Sequence, residues 1–419
     1  MAEGTVAGLG GLGDGIVRES ESGDGTGGVF VPFVLEGEKI EFEHTGNGRG
    51  RLVRVLRPAG TRVAAVCPHF TVCGGCALQH MNETAYRDFK IETLKRTLSS
   101  FSEEADFDAP VFVPPHTRRR VTFALFWCGK MRRFGLNEAK SDRIVPVDEC
   151  PLLVPELERM IAPLRSFFMS PELSFSGKKG VGDVSLLQTE SGVDVLLTLP
   201  FSPDLGWRQA LPVLGHALGA ARISWRRSEA EPAEPLFFAR APVLTTGGFV
   251  LKPPAGCFLQ PDREGEAALV GKAREYAGKS KKIVDLFCGA GTFSLGLLEK
   301  KRKIYGVDNA SEALKALEAA SEGRIKTENR DLFRTPLFSD ELNAYDCIVF
   351  DPPRAGAKAQ AEQIALSAVP VVIAVSCNPL TFVRDAEILK RGGYSLRRLT
   401  PVDQFAYSSH MELIALFTR

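Results

Sequence analysis

A cysteine near the C-terminus is the side chain of this chain that is best placed to act as a nucleophile. Cys377 follows the apolar run at residues 371–375 and precedes Asn378-Pro379, so the sequence predicts a thiol at the end of a β-strand. Open α/β sheets hold their ligands at the carboxyl ends of their strands. Cysteines are most often simply buried, but this position favours exposure in a cleft. We therefore predict that Cys377 is a catalytic nucleophile.

Two acidic residues lie at the ends of apolar runs that we expect in the same sheet. Asp351 opens an Asp-Pro-Pro-Arg box after a predicted strand that ends at Phe350, so its carboxylate is also expected at a strand end, although a proline turn capped by Asp is the ordinary alternative. Glu412 precedes the last apolar run; a single glutamate is more often a solvated edge carboxylate. In this chain, however, Glu412 could serve as the base in a reaction that begins with the Cys377 thiol. Addition of the Cys377 thiolate to C6 of a pyrimidine would make C5 nucleophilic enough to take a methyl group, and Glu412 could then remove the C5 proton.

A glycine loop at residues 285–293 predicts a cofactor site on the same sheet. It joins a predicted strand to a predicted helix, and Gly289 and Gly291 permit a tight turn and close approach of a ligand. Asp308 ends the next predicted strand, about 20 residues further on, where a carboxylate can bind ribose hydroxyls. The loop and Asp308 together indicate an adenosine-type ligand.

The residues around these glycines favour S-adenosylmethionine over a dinucleotide. A dinucleotide loop usually has a third glycine, which allows a pyrophosphate to sit on the helix N-terminus, and Ser294 stands at that position. Phe287 and Phe293 flank the turn. Their apolar rings suit an uncharged adenosine and a sulfonium better than phosphates.

Four cysteines predict a metal site. Cys67, Cys73 and Cys76 lie within ten residues, with Gly74 and Gly75 between the last two, and Cys150 follows later. The chain has nine cysteines and no export signal is expected from its first residues, so structural disulfides are disfavoured. Four thiolates suit either tetrahedral zinc or one [4Fe–4S] cluster, and the spacing does not separate the two.

The pattern along the chain predicts an α/β protein with a Rossmann-like doubly wound sheet at its C-terminal end. From about residue 281, predicted strands and helices alternate, which is typical of parallel βαβ units. Residues 1–27 are rich in Gly, Ser and Asp and are predicted to be loose, and short strands at 29–66 predict a small OB-like β-barrel. A helix is predicted at 82–98 with Asn82 as its N-cap. A mixture of strands and helices at about 110–250 predicts a central α+β region.

Composition narrows the class of protein further. The chain has 419 residues, 44% hydrophobic and 25% charged, which favours two or three soluble domains. We place these at 1–60, 61–250 and 251–419. No apolar run approaches the length of a membrane-spanning helix, so a cytoplasmic location without membrane partners is expected.

Charge bears on nucleic acid binding. The net charge of +1 excludes attraction of nucleic acid by the whole molecule, but it allows a local basic surface. Basic residues concentrate in the middle of the chain and could contact phosphates: Arg118, Arg119, Arg120, Lys130, Arg132, Arg133, Lys140 and Arg143. A solvated strand face is the ordinary alternative. The interleaved Phe123, Phe126, Trp127 and Phe134 are predicted to belong to the core.

These motifs resemble the RNA uracil-C5 methyltransferase family, in its iron–sulfur branch that acts on 23S ribosomal RNA. The resemblance covers nearly the whole chain and is carried by Cys67-Pro68-His69-Phe70, Cys73-Gly74-Gly75-Cys76, Glu149-Cys150-Pro151, the 285–293 loop, Asp351-Pro352-Pro353-Arg354, Ser376-Cys377-Asn378-Pro379 and His410-Met411-Glu412. The first 60 residues look like the small RNA-binding barrel, the TRAM domain, that family members often carry.

The resemblance implies roles for individual residues. It implies Cys377 as the nucleophile, Glu412 as the base, and a [4Fe–4S] cluster on the four cysteines. It also implies contacts with S-adenosylmethionine from Gln260, Phe287, Thr292, Asp308 and Asp331, with Asp351 between the cofactor and the base, beside the Gly289 and Gly291 contacts that the loop itself predicts. Two positions depart from the family pattern: Phe405-Ala406-Tyr407 lacks the usual proline, and position 308 is Asp where many members have Glu. No obligate protein partner is implied.

Other functions remain open at this stage. An amino-group methyltransferase would use the Asp-Pro-Pro box without needing Cys377 or Glu412. Transfer RNA could replace 23S ribosomal RNA as the substrate. A non-catalytic iron–sulfur RNA-binding factor would need no methyl donor. An RNA cytosine-C5 methyltransferase is disfavoured, because such enzymes usually carry a second cysteine near the Asp-Pro-Pro region, where Arg354 follows here.

Overall fold

A computed structural model describes residues 1–19, 28–101 and 105–419. The described residues form two compact units. The first comprises residues 1–96, 136–147 and 405–409, and the second comprises residues 97–135, 148–404 and 410–419. Each unit combines segments that are distant in the sequence. This division therefore does not test the three consecutive domain ranges, which stay a prediction. No helix among the described residues is long and apolar enough to cross a membrane.

The first unit contains a closed five-stranded barrel. Its strands are β1 (Ala2–Leu9), β2 (Gly15–Glu19), β3 (Val29–Val31), β4 (Lys39–Gly46) and β5 (Arg49–Arg57), in the order β1-β2-β3-β5-β4, with β1 also paired to β4. Alternate apolar side chains fill its interior, among them Val6, Val17, Ile40 and Phe42. The predicted barrel is therefore confirmed.

The prediction of a loose N-terminus is wrong for residues 2–19. These residues form β1 and β2, because small residues allow two strands to approach closely. At Gly4, for example, a Cβ would lie 2.4 Å from a methyl group of Val17. High glycine content here reflects close packing within the barrel. Residues 20–27, the rest of that predicted segment, lie outside the described residues.

The helix predicted at 82–98 is confirmed as α1 (Glu83–Thr97). The Asn82 side chain accepts a hydrogen bond from the Ala85 amide at 2.9 Å, which is the expected N-cap contact. A short 3₁₀ turn, Ser99–Phe101, follows.

The middle of the chain is built on a mainly antiparallel sheet. Its elements are β6 (Asp106–Phe107), β7 (Val111–Phe112), β8 (Arg120–Cys128), β9 (Met131–Asn137), β10 (Ile144–Val145), α2 (Pro155–Glu158), α3 (Ile161–Met169), β11 (Lys179–Thr189), β12 (Gly192–Thr198), α4 (Leu205–Leu218), β13 (Arg222–Arg226), β14 (Glu234–Phe238), β15 (Leu244–Thr246) and β16 (Phe249–Leu251). Strands β9, β8, β11, β12, β13 and β14 lie side by side in that order, and β10 pairs with the end of β9. The aromatic rings of Phe123, Trp127 and Phe134 are buried, as predicted, whereas Phe126 is only half-buried.

The C-terminal part of the second unit is the predicted doubly wound sheet. Its elements are α5 (Arg263–Ala277), β17 (Lys282–Leu286), α6 (Thr292–Leu297), β18 (Lys303–Asp308), α7 (Ser311–Ala320), β19 (Lys326–Asn329), α8 (Ser339–Leu342), β20 (Cys347–Phe350), α9 (Lys358–Leu366), β21 (Val371–Ser376), α10 (Pro379–Arg391), β22 (Ser395–Asp403) and β23 (Glu412–Thr418). The sheet order is β19-β18-β17-β20-β21-β23-β22-β6, with β7 also paired to β22. The first five strands are parallel, and β23 is antiparallel to both of its neighbours. The carboxyl ends of the parallel strands therefore share one edge, and β23 begins at that edge.

Candidate active site

Cys377 and Glu412 are neighbours at this edge of the sheet. β21 ends at Ser376, which pairs with Leu413 of β23, so the residue after β21 meets the residue before Leu413. The turn after Cys377 is defined by its sequence: the Asn378 side chain accepts a hydrogen bond from the Leu380 amide at 3.2 Å and caps α10, with Pro379 at the first helical position. Cys377 is half-buried and Glu412 is 3% exposed.

Asp351 lies at the end of the adjacent parallel strand. β20 ends at Phe350, which pairs with Ala374 of β21, and Asp351 follows it. The loop after Asp351 is tied to the beginning of α10, because the Asn378 side chain donates to the Arg354 carbonyl at 3.0 Å. The fold thus brings together three side chains that the sequence predicted for the site: Cys377, Glu412 and Asp351.

Two glutamines connect the carboxylates. The Nε2 of Gln404 donates to Oε2 of Glu412 at 2.9 Å and to Oε1 of Gln260 at 2.8 Å. The Nε2 of Gln260 in turn donates to Oδ2 of Asp351 at 3.2 Å. Gln260 was among the predicted site residues, whereas Gln404 was not. Gln404 is a neutral amide that follows a strand, so the sequence by itself gives no reason to assign it a function.

Burial dominates the electrostatics of these groups. It raises the pKa of Glu412 to about 7, against the lowering effects of the Gln404 hydrogen bond and the Arg354 charge. Burial, and then the neighbouring Glu412, hold the pKa of Asp351 well above its usual range. Burial, followed by the charges of Glu412 and Asp351, raises the pKa of the Cys377 thiol to about 11, and Arg354 opposes this. Glu412 is therefore poised to exchange a proton near neutral pH.

The glycine loop contains three residues with a left-handed backbone, two of which are glycines that adopt it without strain. Phe287 and Gly289 have φ angles of 61° and 52°, and Gly291 has a φ of 90°. The carboxylate of Asp308 fastens the loop, since Oδ2 accepts from the Gly289 amide at 2.9 Å and Oδ1 accepts from the Ala310 amide at 2.8 Å. Thr292 begins the helix after the loop. The cofactor contacts of these residues stay predictions.

Asp285 is a functional candidate that residue-level reasoning missed. It lies in β17 and is fully buried, and burial raises its pKa to about 7. Ser294 donates to its Oδ2 at 2.6 Å, while its Oδ1 has no hydrogen-bond partner in the described part of the chain. Because buried carboxylate oxygens are normally hydrogen-bonded, this oxygen is an acceptor available to a ligand. The position of Asp285 at the start of the glycine loop could have indicated a role at the cofactor site.

Asp331 lies beyond the next parallel strand, β19. Its Oδ1 accepts from the Phe333 amide at 3.0 Å, and the exposed ring of Phe333 lies 5.4 Å from that of Phe287. Asp331 and Phe287 therefore belong to neighbouring loops on the strand-end edge that carries the glycine loop.

Comparison with known proteins addresses the family. Residues 243–419 match the family model described as tRNA (Uracil-5-)-methyltransferase. An RNA methyltransferase of Brucella melitensis is 37% identical over 99% of this chain and 97% of its own length. The 23S rRNA (uracil(1939)-C(5))-methyltransferase RlmD of Vibrio vulnificus is 32% identical over 93% of this chain and 91% of its own. The chain belongs to the RNA uracil-C5 methyltransferase family.

A solved structure agrees with the fold of this methyltransferase. The tRNA (uracil-54, C5)-methyltransferase of Pyrococcus abyssi, in complex with S-adenosyl-L-homocysteine, superposes with a TM-score of 0.77 over 100% of this chain and 99% of that one, at 23% identity. The predicted fold class is confirmed for the α/β methyltransferase part, and the barrel is present.

The predicted phosphate-binding role is wrong for Arg119 of this methyltransferase. Its side chain is 3% exposed, pairs with Glu266 at 2.5 Å, and donates from Nε to the Gln260 carbonyl at 3.0 Å. Arg120 donates to the Leu259 carbonyl at 2.9 Å, so part of its hydrogen-bonding capacity is also used inside the protein. A run of arginines in sequence does not reveal which members turn inward. Phosphate binding by the other basic residues of this region stays a prediction.

The structure does not show the predicted cysteine cluster of this family member. Cys67, Cys73 and Cys76 lie on one loop of the first unit, and Cys150 belongs to the second unit. Burial raises the pKa of the Cys73 thiol, the Gly75 amide lowers it, and the neighbouring Cys67 raises it further. Among the residues that the structure describes, however, no group of three or more His, Cys, Asp or Glu side chains is arranged to hold a metal ion. The four-cysteine site and its [4Fe–4S] cluster are therefore not shown.

Proposed function

We propose that this enzyme transfers a methyl group from S-adenosylmethionine to C5 of a uracil in RNA, through a covalent bond between Cys377 and C6 of the base. The observation that carries this proposal is the placement of Cys377 and buried Glu412 side by side at one sheet edge, with Asp351 on the next strand. An amino-group methyltransferase would have no use for this thiol and carboxylate pair.

The second unit offers a fitting site for the methyl donor. In support, the fold neighbour from Pyrococcus abyssi is in complex with S-adenosyl-L-homocysteine. The unpartnered Oδ1 of Asp285 could accept from the ammonium group of the donor, and this carboxylate is fully buried beside the glycine loop. We assign donor binding to residues at the carboxyl ends of the strands and in the loops beside them: Gln260, Asp285, Phe287, Gly289, Gly291, Thr292, Asp308, Asp331 and Asp351. S-adenosylmethionine supplies an electrophilic methyl group.

The residues account for the bonds that must form and break. The Cys377 sulfur adds to C6, and the electron pair of the C5–C6 double bond moves toward the C4 carbonyl. C5 would then bond to the methyl group as the bond between that group and the donor sulfur breaks, and S-adenosylhomocysteine would be the leaving group. Glu412 removes the C5 proton, the double bond forms again, and the C6–S bond breaks to return the thiolate. A uracil within folded RNA must leave its stack before it can reach Cys377.

Binding of the positively charged methyl donor would lower the raised pKa of the Cys377 thiol. In the unliganded protein that pKa is about 11, so the thiol carries its proton at neutral pH. A cation bound close to the sulfur would lower this pKa, as Arg354 already does in part. The nucleophile would then be activated only when the donor is bound.

We favour 23S ribosomal RNA as the substrate. The Vibrio vulnificus relative is named for a uracil of 23S rRNA and matches most of this chain, whereas the family model named for transfer RNA covers residues 243–419. Mapping 5-methyluridine in ribosomal and transfer RNA, from cells with and without the gene, distinguishes the two. Loss at one 23S position supports this substrate, loss in transfer RNA replaces it, and no loss anywhere contradicts uracil methylation.

Two variants test the chemistry directly. With purified enzyme, S-adenosylmethionine and a 23S rRNA transcript, Cys377→Ser is expected to lower 5-methyluridine formation by about 10³-fold or more, because the hydroxyl cannot replace the thiolate. Cys128→Ser is the matched control, since Cys128 is exposed on β8, and it should retain full activity. Full activity of Cys377→Ser would instead favour an amino-group methyltransferase.

The iron–sulfur cluster is a separate proposal, and no catalytic step depends on it. The donor chemistry fits: three thiols lie on one loop, and the buried Gln79, whose Oε1 accepts from the Cys67 amide at 3.0 Å, has an Nε2 without a partner among the described residues. That N–H could donate to a cluster sulfur. We propose that Cys67, Cys73, Cys76 and Cys150 ligate the cluster. Anaerobic purification with iron and sulfide analysis tests this: about four iron atoms per chain support the cluster, and stoichiometric zinc contradicts it.

A further inference from the structure

Gln404 links the candidate base to the residues on the donor side of the site. It follows β22, and its side chain is 4% exposed. Its single amide group uses both hydrogens: one is donated to Oε2 of Glu412 at 2.9 Å and the other to Oε1 of Gln260 at 2.8 Å. The position of the Glu412 carboxylate is thereby coupled to that of Gln260.

Gln260, at the other end of this series of hydrogen bonds, is held in place by buried partners. Gln260 donates from Nε2 to Asp351 at 3.2 Å, and its own carbonyl accepts from Nε of Arg119 at 3.0 Å. Arg119 is buried and paired with Glu266, whose other oxygen accepts from Thr246 at 3.2 Å. Because these supporting groups lie in the interior, Gln260 provides a fixed reference point for the Gln404 amide.

The orientation of the Gln404 amide is the informative feature. Its Oε1 has no hydrogen-bond partner within the described ranges, and it faces Gly265 so closely that a Cβ there would lie 2.8 Å from it. An unsatisfied buried oxygen costs free energy. The reverse orientation would place that oxygen against the oxygens of both Glu412 and Gln260. The observed orientation therefore leaves Oε1 without a hydrogen-bond partner, but it allows the amide to donate to both Glu412 and Gln260.

We propose that Gln404 is a positioning residue that occupies Oε2 of Glu412, so that Oε1 is the atom that takes the uracil C5 proton. This proposal rests on the proposed function. In the step concerned, the C5–H bond breaks, the proton goes to Oε1, the C5–C6 double bond forms, and the C6–S bond to Cys377 breaks. The donated hydrogen bond also keeps Glu412 in its ionised form to a lower pH than burial alone would allow.

Gln404→Met tests this role, because methionine has a similar length and no N–H. The assay uses a 23S rRNA transcript that contains 5-tritiated uridine, and it measures the covalent adduct and the release of tritium separately. The variant should form the adduct at a rate within about twofold of wild type. It should release tritium about 10- to 100-fold more slowly, because a misplaced general base affects only this step. The adduct should then accumulate on ordinary RNA.

The pH dependence gives a second readout that a purely structural role would not change. Loss of the donated hydrogen bond raises the pKa of Glu412, so the acidic limb of the tritium-release profile should move to higher pH in Gln404→Met. The matched control is Gln209→Met, at an exposed position on α4, which should change neither rate nor profile. Equal loss of adduct formation and release, or wild-type release with an unmoved profile, would overturn the proposal.

A second variant covers the case in which methionine unfolds the protein. Gln404→Glu keeps the size and polarity of the side chain, but it must present an oxygen to Glu412 or to Gln260. It should also form the adduct and release it slowly, and normal release would overturn the positioning role. If wild-type enzyme itself forms no adduct, the proposed function fails, and this result is distinct from every outcome for the variants.

Discussion

The properties that make Glu412 a candidate base also make it costly for the fold. The same burial that brings its pKa to about 7 removes a carboxylate from water. Unfolded, this group would titrate at its ordinary value of 4.5. Between these two values the folded protein binds more protons than the unfolded chain, so this group lowers stability as pH rises through the window.

Glu412→Gln is therefore expected to raise the free energy of unfolding relative to wild type at pH 8. The difference should shrink as pH falls below 7 and vanish only below pH 4.5, where wild-type Glu412 is protonated in both the folded and the unfolded state. Urea unfolding at several pH values measures this, with Glu362→Gln on the exposed face of α9 as the control. A glutamine variant that is less stable than wild type at pH 8 would contradict the burial argument.

At this scale the sequence predicted the groups that carry distinctive chemistry. Cys377, Glu412 and Asp351 could be placed because each lies beside an apolar run that forms a strand. Gln404 could not, since its partners Gln260 and Glu412 are 144 and 8 residues away and an amide has no signature. Arg119 was misassigned because sequence does not show that its guanidinium faces Glu266.

Among the elements, the loop between β17 and α6 is the one with the tightest steric requirement. Gly289 and Gly291 both have positive φ, but their surroundings differ. A Cβ on Gly291 would lie 2.3 Å from a methyl group of Leu317, whereas one on Gly289 would meet nothing within 4 Å. The two positions form a natural pair for separating backbone strain from crowding.

Gly291→Ala should destabilise the protein more than Gly289→Ala. Both substitutions cost about 1–2 kcal/mol for the left-handed backbone, and Gly291→Ala should add about 1–3 kcal/mol because the Leu317 side chain must move away. Thermal or urea unfolding of both variants in the absence of ligands measures the difference. Equal stabilities would show that Leu317 yields without cost.

Element prediction succeeded where periodicity was strong and failed where polar residues interrupted it. The strands β17, β18, β20, β21 and β23 lie in the region from about residue 281 where alternating strands and helices were predicted. β22 was not predicted, because Arg397, Arg398 and Pro401 interrupt its apolar pattern. Residues 155–168 form two helices, α2 and α3, because the Met160 amide donates to the Leu157 carbonyl three residues back and so interrupts the α-helical hydrogen-bond pattern.

For the whole molecule, the net charge of +1 limits how RNA can be held. Without long-range attraction, binding must come from local groups of basic residues. β5 of the barrel presents such a group: the side chains of Arg51 and Arg54 are 71% and 67% exposed, although each also pairs with a glutamate of β4. The two-unit organisation itself could not be foreseen, because residues 405–409 join the first unit from far along the chain.

Replacing both Arg51 and Arg54 with Glu should weaken binding of the RNA substrate by about tenfold at physiological salt, since phosphate contacts are lost and repulsion replaces them. The affinity for S-adenosylmethionine should not change. Filter binding and calorimetry measure the two quantities, and Lys315→Glu on the exposed surface of α7 is the control. Unchanged RNA affinity in the double variant would exclude this strand from the RNA-binding surface.

The central claim is that Cys377 becomes bonded to the uracil ring. The most direct measurement is mass spectrometry of the enzyme after incubation with S-adenosylmethionine and a 23S rRNA transcript containing 5-fluorouridine, whose fluorine cannot be removed as a proton. We predict a methylated nucleotide adduct that survives denaturation and maps to the peptide containing Cys377, and no adduct with Cys377→Ser. An active enzyme that forms no such adduct, or forms it at another residue, would contradict the account.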